Sequence, residues 1–271
     1  MVASEGREAV RLYVEVARRT YHRIATYRAA TIAGVFTNTV FGFLLAYVLL
    51  AVYRERPDVG GFDAIDAVTF TFVAQALLMT LGMFSDTEMA DRIATGDVVV
   101  DLQRPYDHQA WWAGVSYGKA VYYVLYRGIP PFVAGALAFH LRLPTPGGAL
   151  AFVASLALAV GVAFGWRYLL QLSAFWILDV RGPNQLGWLA AQFLSGAFLP
   201  LVFFPDAIES VVRALPFAAM LQVPVEVWLG KHTGANLAGV LALQALWIVL
   251  LAVAGRLVLR AAVRRVVVQG G

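Results

Sequence analysis

Histidine is the side chain best able to move a proton or hold a metal near neutral pH. The chain has four, His22, His108, His140 and His232, scattered over different connecting segments. None has the spacing of a metal pair such as H-E-x-x-H, and no G-x-S-x-G nucleophile turn is present. Gly230-Lys231-His232-Thr233 carries the Gly-Lys pair of a phosphate-binding loop. It lacks the upstream Gly, and His stands where Ser or Thr would meet Mg²⁺. With no cysteine there are no disulfides, thiolate metal sites or haem attachment. Neither catalysis nor a metal site is expected of this chain. Two other sets of residues stand out. One is the charge-rich stretch around Glu88, Asp91, Asp97, Asp101 and Arg104. The other is Arg127, with Asn38 and Gln75, inside apolar runs. An arginine facing lipid costs at least about 2.5–3.5 kcal/mol. Arg127 therefore points into protein, water or a headgroup region, either as a pathway contact for a substrate headgroup or as a structural pair or snorkelling side chain. Asn38 and Gln75 either line the same pathway or hydrogen-bond between helices.

The elements that hold these residues must lie in lipid. Of the 271 residues, 60% are hydrophobic and 14% charged, with a mean hydropathy of +0.70. Soluble domains are about 45–50% apolar and roughly 25% charged. A cytosolic enzyme, a nucleic-acid-binding domain and a disordered chain are thereby excluded. The pI near 9.5 reflects arginines on the cytoplasmic side rather than a nucleic-acid partner. A spanning helix needs about 20 mainly apolar residues. Six runs approach this: Ala29–Val52, Val68–Phe84, Val115–Phe139, Ala149–Leu178, Gly187–Phe204 and Leu237–Leu259. They are continuous rather than alternating, which favours helices over barrel strands. No repeat interrupts them, so residues 1–271 read as one all-α domain with six transmembrane helices. The first 28 residues hold six arginines and no apolar core, so the first span is expected to act as the targeting signal. With the N-terminus inside, 14 Lys and Arg fall on the cytoplasmic side and 5 outside. That bias places both termini in the cytoplasm and requires an even number of spans.

Three segments outside the runs carry information. On a helical wheel of residues 8–28, Glu8, Arg11, Glu15, Arg18, Arg19 and His22 share one side. Val10, Tyr13, Ala17, Tyr21 and Ile24 share the other. Such a basic amphipathic helix lies in the headgroup plane, as an anchor or as a lever touching a cytoplasmic partner. The connection Ser85–Trp112 holds six acids against two arginines. Glu88–Ile93 is expected to be a short helix stopped by Gly96, and Val98–Leu102 runs to the break at Arg104–Pro105. It is either a docking element for a soluble partner or a solvated loop. Residues 205–231 are too apolar for a free loop and too broken by Pro216, Pro224 and Gly230 to span. They read as a re-entrant or interfacial hairpin opening with an amphipathic helix over Pro205–Leu215.

These segments carry a resemblance. Glu88–Asp97 (EMADRIATGD) followed by Asp101–Pro105 (DLQRP) resembles the I-x-x-G-x-L-D … L-x-R-P loop of one subfamily of ABC-2-type permeases, with Val98 in place of the usual Leu. Leu199–Pro205 (LPLVFFP), Leu215–Phe217 (LPF) and Pro224–Gly230 (PVEVWLG) resemble that subfamily's outer segment. The resemblance implies the membrane subunit of an ATP-binding-cassette exporter in the cytoplasmic (inner) membrane. It implies pairing with a second copy or a homologous permease. Two ATPase subunits would dock on the 85–112 loop and hold the ATP and Mg, leaving no cofactor and no nucleic acid to this chain. Glu88, Asp91, Asp97, Asp101 and Arg104 would make contact there, and Gly96 and Pro105 would set the loop's shape. The cargo would be lipophilic or amphipathic. Two other classes stay open, an ion-gradient-driven secondary transporter and a non-transporting membrane scaffold. The first would need acids or histidines within the runs, and the runs contain none.

Overall fold

In lipid every backbone N–H and C=O must be satisfied within its own segment, which leaves helices as the economical solution for apolar runs. The computed structural model describes residues 2–82, 86–177 and 180–264, with side chains from Val10 onward. Among these the only extended pairing is one isolated bridge, Val59 to Phe62. The chain runs through α1 (Val2–Ile24), α2 (Arg28–Glu55), α3 (Ala64–Leu78), and two short helices, α4 (Glu88–Ala94) and α5 (Val98–Gln103). Helix α6 (His108–Tyr123) passes through a π-helical turn, Val124–Gly128, into α7 (Ile129–Ala138). Then come α8 (Pro146–Leu172), α9 (Arg181–Leu194), α10 (Asp206–Ala214), α11 (Pro216–Met220), α12 (Gln222–Trp228) and α13 (Gly234–Val263).

Among the described residues three helices are long and apolar enough to cross a bilayer: Arg28–Glu55, Pro146–Phe175 and Gly234–Val263. The other expected runs differ in their bounds. Helix α3 starts ahead of its run because Asp63 and Asp66 close a capping box over its first turn, and it ends at Leu78. The third run is divided by the π turn at Arg127. Helix α9 begins six residues before the fifth run and stops at Ser195, where Gly196 takes φ +85°. Apolarity marks what lipid tolerates, whereas caps and left-handed glycines decide where a helix starts and stops. Phe84 and Ser85, at the boundary between the second run and the loop, lie outside the described residues.

Small residues bring the long helices together. Gly161 and Gly165 of α8 receive Ile248 and Leu251 of α13. Gln244 of α13 spans that seam, donating to the Ser155 carbonyl (3.1 Å) and the Ala219 carbonyl (2.8 Å) and accepting from Ser155 Oγ (3.0 Å). Gly114 and Gly118, a G-x-x-x-G pair on α6, let the α1 backbone approach so closely that a Cβ at Gly114 would sit 3.0 Å from the Tyr13 carbonyl. The apolar face of α1 is thus covered by α6: Val16 and Thr20 are buried, and Tyr13, Ala17, Tyr21 and Ile24 half-buried. Val10, expected on that face, is exposed.

The segment after α9 divides in two. Residues 216–227 are buried throughout, packed against α8, α9 and α13. Helix α10 instead lies at the surface, burying Val212 while Ile208 and Val211 stay exposed.

Candidate functional site

The 88–105 connection folds as sequence spacing suggests, and the rest of the molecule braces it. Helix α4 carries no side-chain cap of its own. Gln171 Oε1, at the end of α8, instead accepts from the first-turn N–H groups of Met89 (3.1 Å) and Ala90 (3.3 Å). Glu88 accepts both Arg23 guanidinium nitrogens from α1 (2.7 and 3.0 Å) and Lys119 Nζ from α6 (3.1 Å). Lys119 also reaches Asp86 at 2.6 Å. Burial opposes the charge on both carboxyls, but Lys119 and Arg167 hold Asp86, and Arg23 and Lys119 hold Glu88, below the usual carboxylate range. Inside the loop, Arg92 clamps Asp101 with a bidentate pair of 2.6 and 2.9 Å. Met89, Ala90, Ile93 and Val98 bury their apolar sides against Tyr168, Leu172 and Ala174. Gly96 turns the chain between α4 and α5 at φ +84°, with nothing near the place of a Cβ. Arg104 is extended ahead of Pro105, as the proline ring requires. The chain then returns through Tyr106, stacked on Trp111 with ring centroids 4.6 Å apart, and the Asp107 N–H donates to Tyr13 Oη of α1 (3.1 Å).

The residues named from sequence therefore divide by position. Asp91, Gly96, Asp97, Arg104 and Pro105 form the exposed outer rim of the loop. Among the described residues the Asp97 carboxylate accepts from Thr95 Oγ1 (3.0 Å), and that of Asp91 from Thr87 Oγ1 (2.9 Å). Glu88 and Asp101 are committed to internal pairs, and Asp101 is 7% exposed. Arg19, Arg23, Arg92, Arg104 and Trp112 line a groove of about 340 Å³ between α1 and this loop.

Inside the bundle, Arg127, Asn38 and Gln75 come to one layer formed by α2, α3 and the π turn. Asn38 Nδ2 donates to the Gln75 carbonyl (3.1 Å), a buried link between α2 and α3. Next to it, Gly128 of the π turn packs on the Ala76 carbonyl. The Arg127 guanidinium occupies the space a Cβ on Gly34 would need and stands 5.7 Å from the Tyr123 ring. Its Nε is buried with no acceptor.

At the other end of the helices lies a cluster that composition did not single out. Glu226 of α12 is buried and accepts from Arg213 (2.7 and 3.0 Å), from Gln222 Nε2 (2.8 Å), and meets His232 Nε2 at 2.8 Å. Burial would raise its pKa, but the bonds from His232, Arg213 and Gln222 prevail and bring it down to about 2. Asp66, also buried, pairs with Arg142 (2.7 Å) and Lys231 (2.5 Å). Single acids beside apolar residues give no periodic signal; the only pointer was the density of Arg, Lys and His in the neighbouring connections.

The model of the ABC-2 family transporter proteins matches residues 36–270, nearly the whole chain. No curated protein and no solved structure matches it. An apolar helical chain with a folded, charged connection agrees with that match. The chain belongs to the ABC-2 transporter family, whose members are membrane transport components, and is an ABC-2-type permease.

Proposed function

We propose that this permease is the transmembrane subunit of an exporter in the cytoplasmic membrane, moving a lipophilic or amphipathic cargo with energy from a separate ATPase. In this reading residues 1–271 form one domain of six crossings with both termini in the cytoplasm. Helices α3 and α9 complete their crossings through adjoining turns, and 205–231 forms the outer hairpin. Two permeases, identical or homologous, meet two ATPase subunits under the 88–105 loop. The observation that carries the proposal is the bracing of that loop. A transmitter of ATPase motion must keep its shape under load, and three helices hold this one, through Arg23, Lys119 and Gln171. The same contacts make α1 part of the moving body, which favours a lever over a bare anchor. The ion-gradient alternative calls for an unpaired acid, whereas Asp66 and Glu226, two acids buried among the described residues, are each paired with cations.

The test uses the two rim acids, whose loss breaks no link to another element. Asp91→Lys combined with Asp97→Lys should release the ATPase from tagged permease on co-purification, leaving the permease's thermal melt unchanged. Truncating one partner of a desolvated interface charge pair costs about 2–5 kcal/mol, so binding should fall at least about 30-fold. Wild-type recovery of ATPase with the double variant would reject the docking assignment.

A further inference from the structure

Two arginines inside the apolar helices close no ion pair among the described residues; Asp86 faces Arg167 across a shared cavity without contacting it as a salt bridge. Arg167 of α8 donates through Nη2 to Ser116 Oγ (2.6 Å) and through Nε to the Ala163 carbonyl (3.3 Å), both neutral acceptors. Arg127 makes no hydrogen bond or ion pair among the described residues; its guanidinium stands 5.7 Å from the Tyr123 ring and its buried Nε has no acceptor. Each guanidinium lies against a glycine, Gly34 for Arg127 and Gly82 for Arg167, in space that any Cβ would fill. The chain thus makes room for both cations without closing an ion pair on either. An unpaired ion in such surroundings bears a desolvation cost that a bound anion would offset.

A cavity of about 210 Å³ connects these observations. Ser116, Lys119 and Tyr123 of α6 form one wall, Arg167 another, and Thr80 and Asp86 close it. Lys119 and Arg167 outnumber the single acid, Asp86, and Lys119 divides its charge between Asp86 and Glu88. Ser116, Lys119, Tyr123 and Arg127 recur at helical spacing on one face, so Arg127 extends the cationic row one turn beyond the cavity. It does so from the π turn, an irregularity that frequently accompanies binding sites.

We infer that this row binds the anionic headgroup of an amphiphile, a carboxylate, phosphate or sulfate carried on an apolar tail. Arg167 presents a fork suited to two oxygens of such a group, Ser116 and Tyr123 add hydroxyl donors, and Arg127 draws the charge deeper into the bundle. The inference rests on the permease reading only for the ligand's being carried. Binding itself needs no ATPase, so its failure leaves the docking assignment untouched.

The experiment uses the full-length permease in nanodiscs of phosphatidylcholine, titrated with 11-(dansylamino)undecanoic acid or its methyl ester and corrected for empty discs. The acid should bind at least about tenfold more tightly than the ester. Arg167→Gln should remove that preference while leaving ester binding unchanged, and Arg167→Lys should restore most of it. Arg127→Gln, which breaks no hydrogen bond, should weaken acid binding about threefold and carries the test if Arg167→Gln fails to fold. Equal affinity for acid and ester, or an acid preference that survives both Gln substitutions, would overturn the site. Discs enriched in phosphatidylglycerol distinguish the source. Displacement of the acid assigns the site to a membrane lipid, and undisturbed binding assigns it to a single-tailed cargo.

Discussion

The residues that organise this permease are mostly glycines and ion-pair members whose value depends on a neighbour. Gly118 illustrates this. A Cβ there would collide with the backbone of Ala17, and backbone cannot turn aside as a flexible side chain can. Gly118→Val should therefore separate α1 from α6 at a cost of about 1–3 kcal/mol, the usual penalty of overpacking. The variant should melt lower and lose its N-terminal helix to limited proteolysis first, whereas Gly147→Ala, at a site with nothing near the place of a Cβ, should behave as wild type. Equal protease resistance in the two variants would show that α1 does not depend on this contact. Arg92 and Asp101 show the same dependence within the loop: they look like surface charges in the sequence and form an internal clasp in the fold.

At the scale of elements, the cluster around Glu226 joins three helices that have little else in common. Arg213 comes from α10, Glu226 from α12, and His232 from the turn before α13, where its Nδ1 meets Asn236 Oδ1 at 2.5 Å. The hydrogen bond with Glu226 is the main reason the His232 pKa lies above its ordinary value, with burial opposing it. A raised histidine pKa stabilises the fold fully below the ordinary range, near pH 6.5, and this contribution is lost as pH climbs through the folded value. The melting temperature of purified permease should thus fall between about pH 6 and about pH 8, with the His232→Gln variant showing a flatter profile. Parallel profiles would remove His232 from the account. The lowered pKa of Glu226 acts in the opposite sense, its contribution vanishing only in strong acid as pH falls toward about 2.

For the whole molecule, the open matter is how the helices lie across the bilayer. The absence of cysteine makes this directly testable, because a single introduced cysteine reports without background. Thr95 and Asp58 are both exposed and lie in connections at opposite ends of α3. Thr95→Cys should resist a membrane-impermeant maleimide in intact cells and react after permeabilisation. Asp58→Cys should react in both. The reverse pattern would invert the orientation, and equal labelling of the two in intact cells would break the six-crossing reading. The bracing of α1, α4, α6 and α8 at one end, and the Glu226 and Asp66 clusters at the other, place these ion-pair joints at the helix ends.

The sequence by itself determined the solvent, the helical class, the family and the outline of the charged loop. Each follows from local rules. Apolar runs exclude water-soluble folds, Gly96 alone among nearby residues turns easily at φ +84°, and Pro105 forces Arg104 to be extended. Tertiary structure alone decided which charges are free. Glu88 and Asp101 resemble Asp91 and Asp97 in type and spacing, yet the first pair is spent on Arg23, Lys119 and Arg92 and the second faces outward. The partners lie up to 65 positions away in the chain, a distance no local pattern reports. The same holds for Arg127. Its cost in lipid is legible from one residue, but its lack of a partner emerges only when α2, α3 and α6 have closed around it, since an ion pair is a property of two positions and of the fold that brings them together.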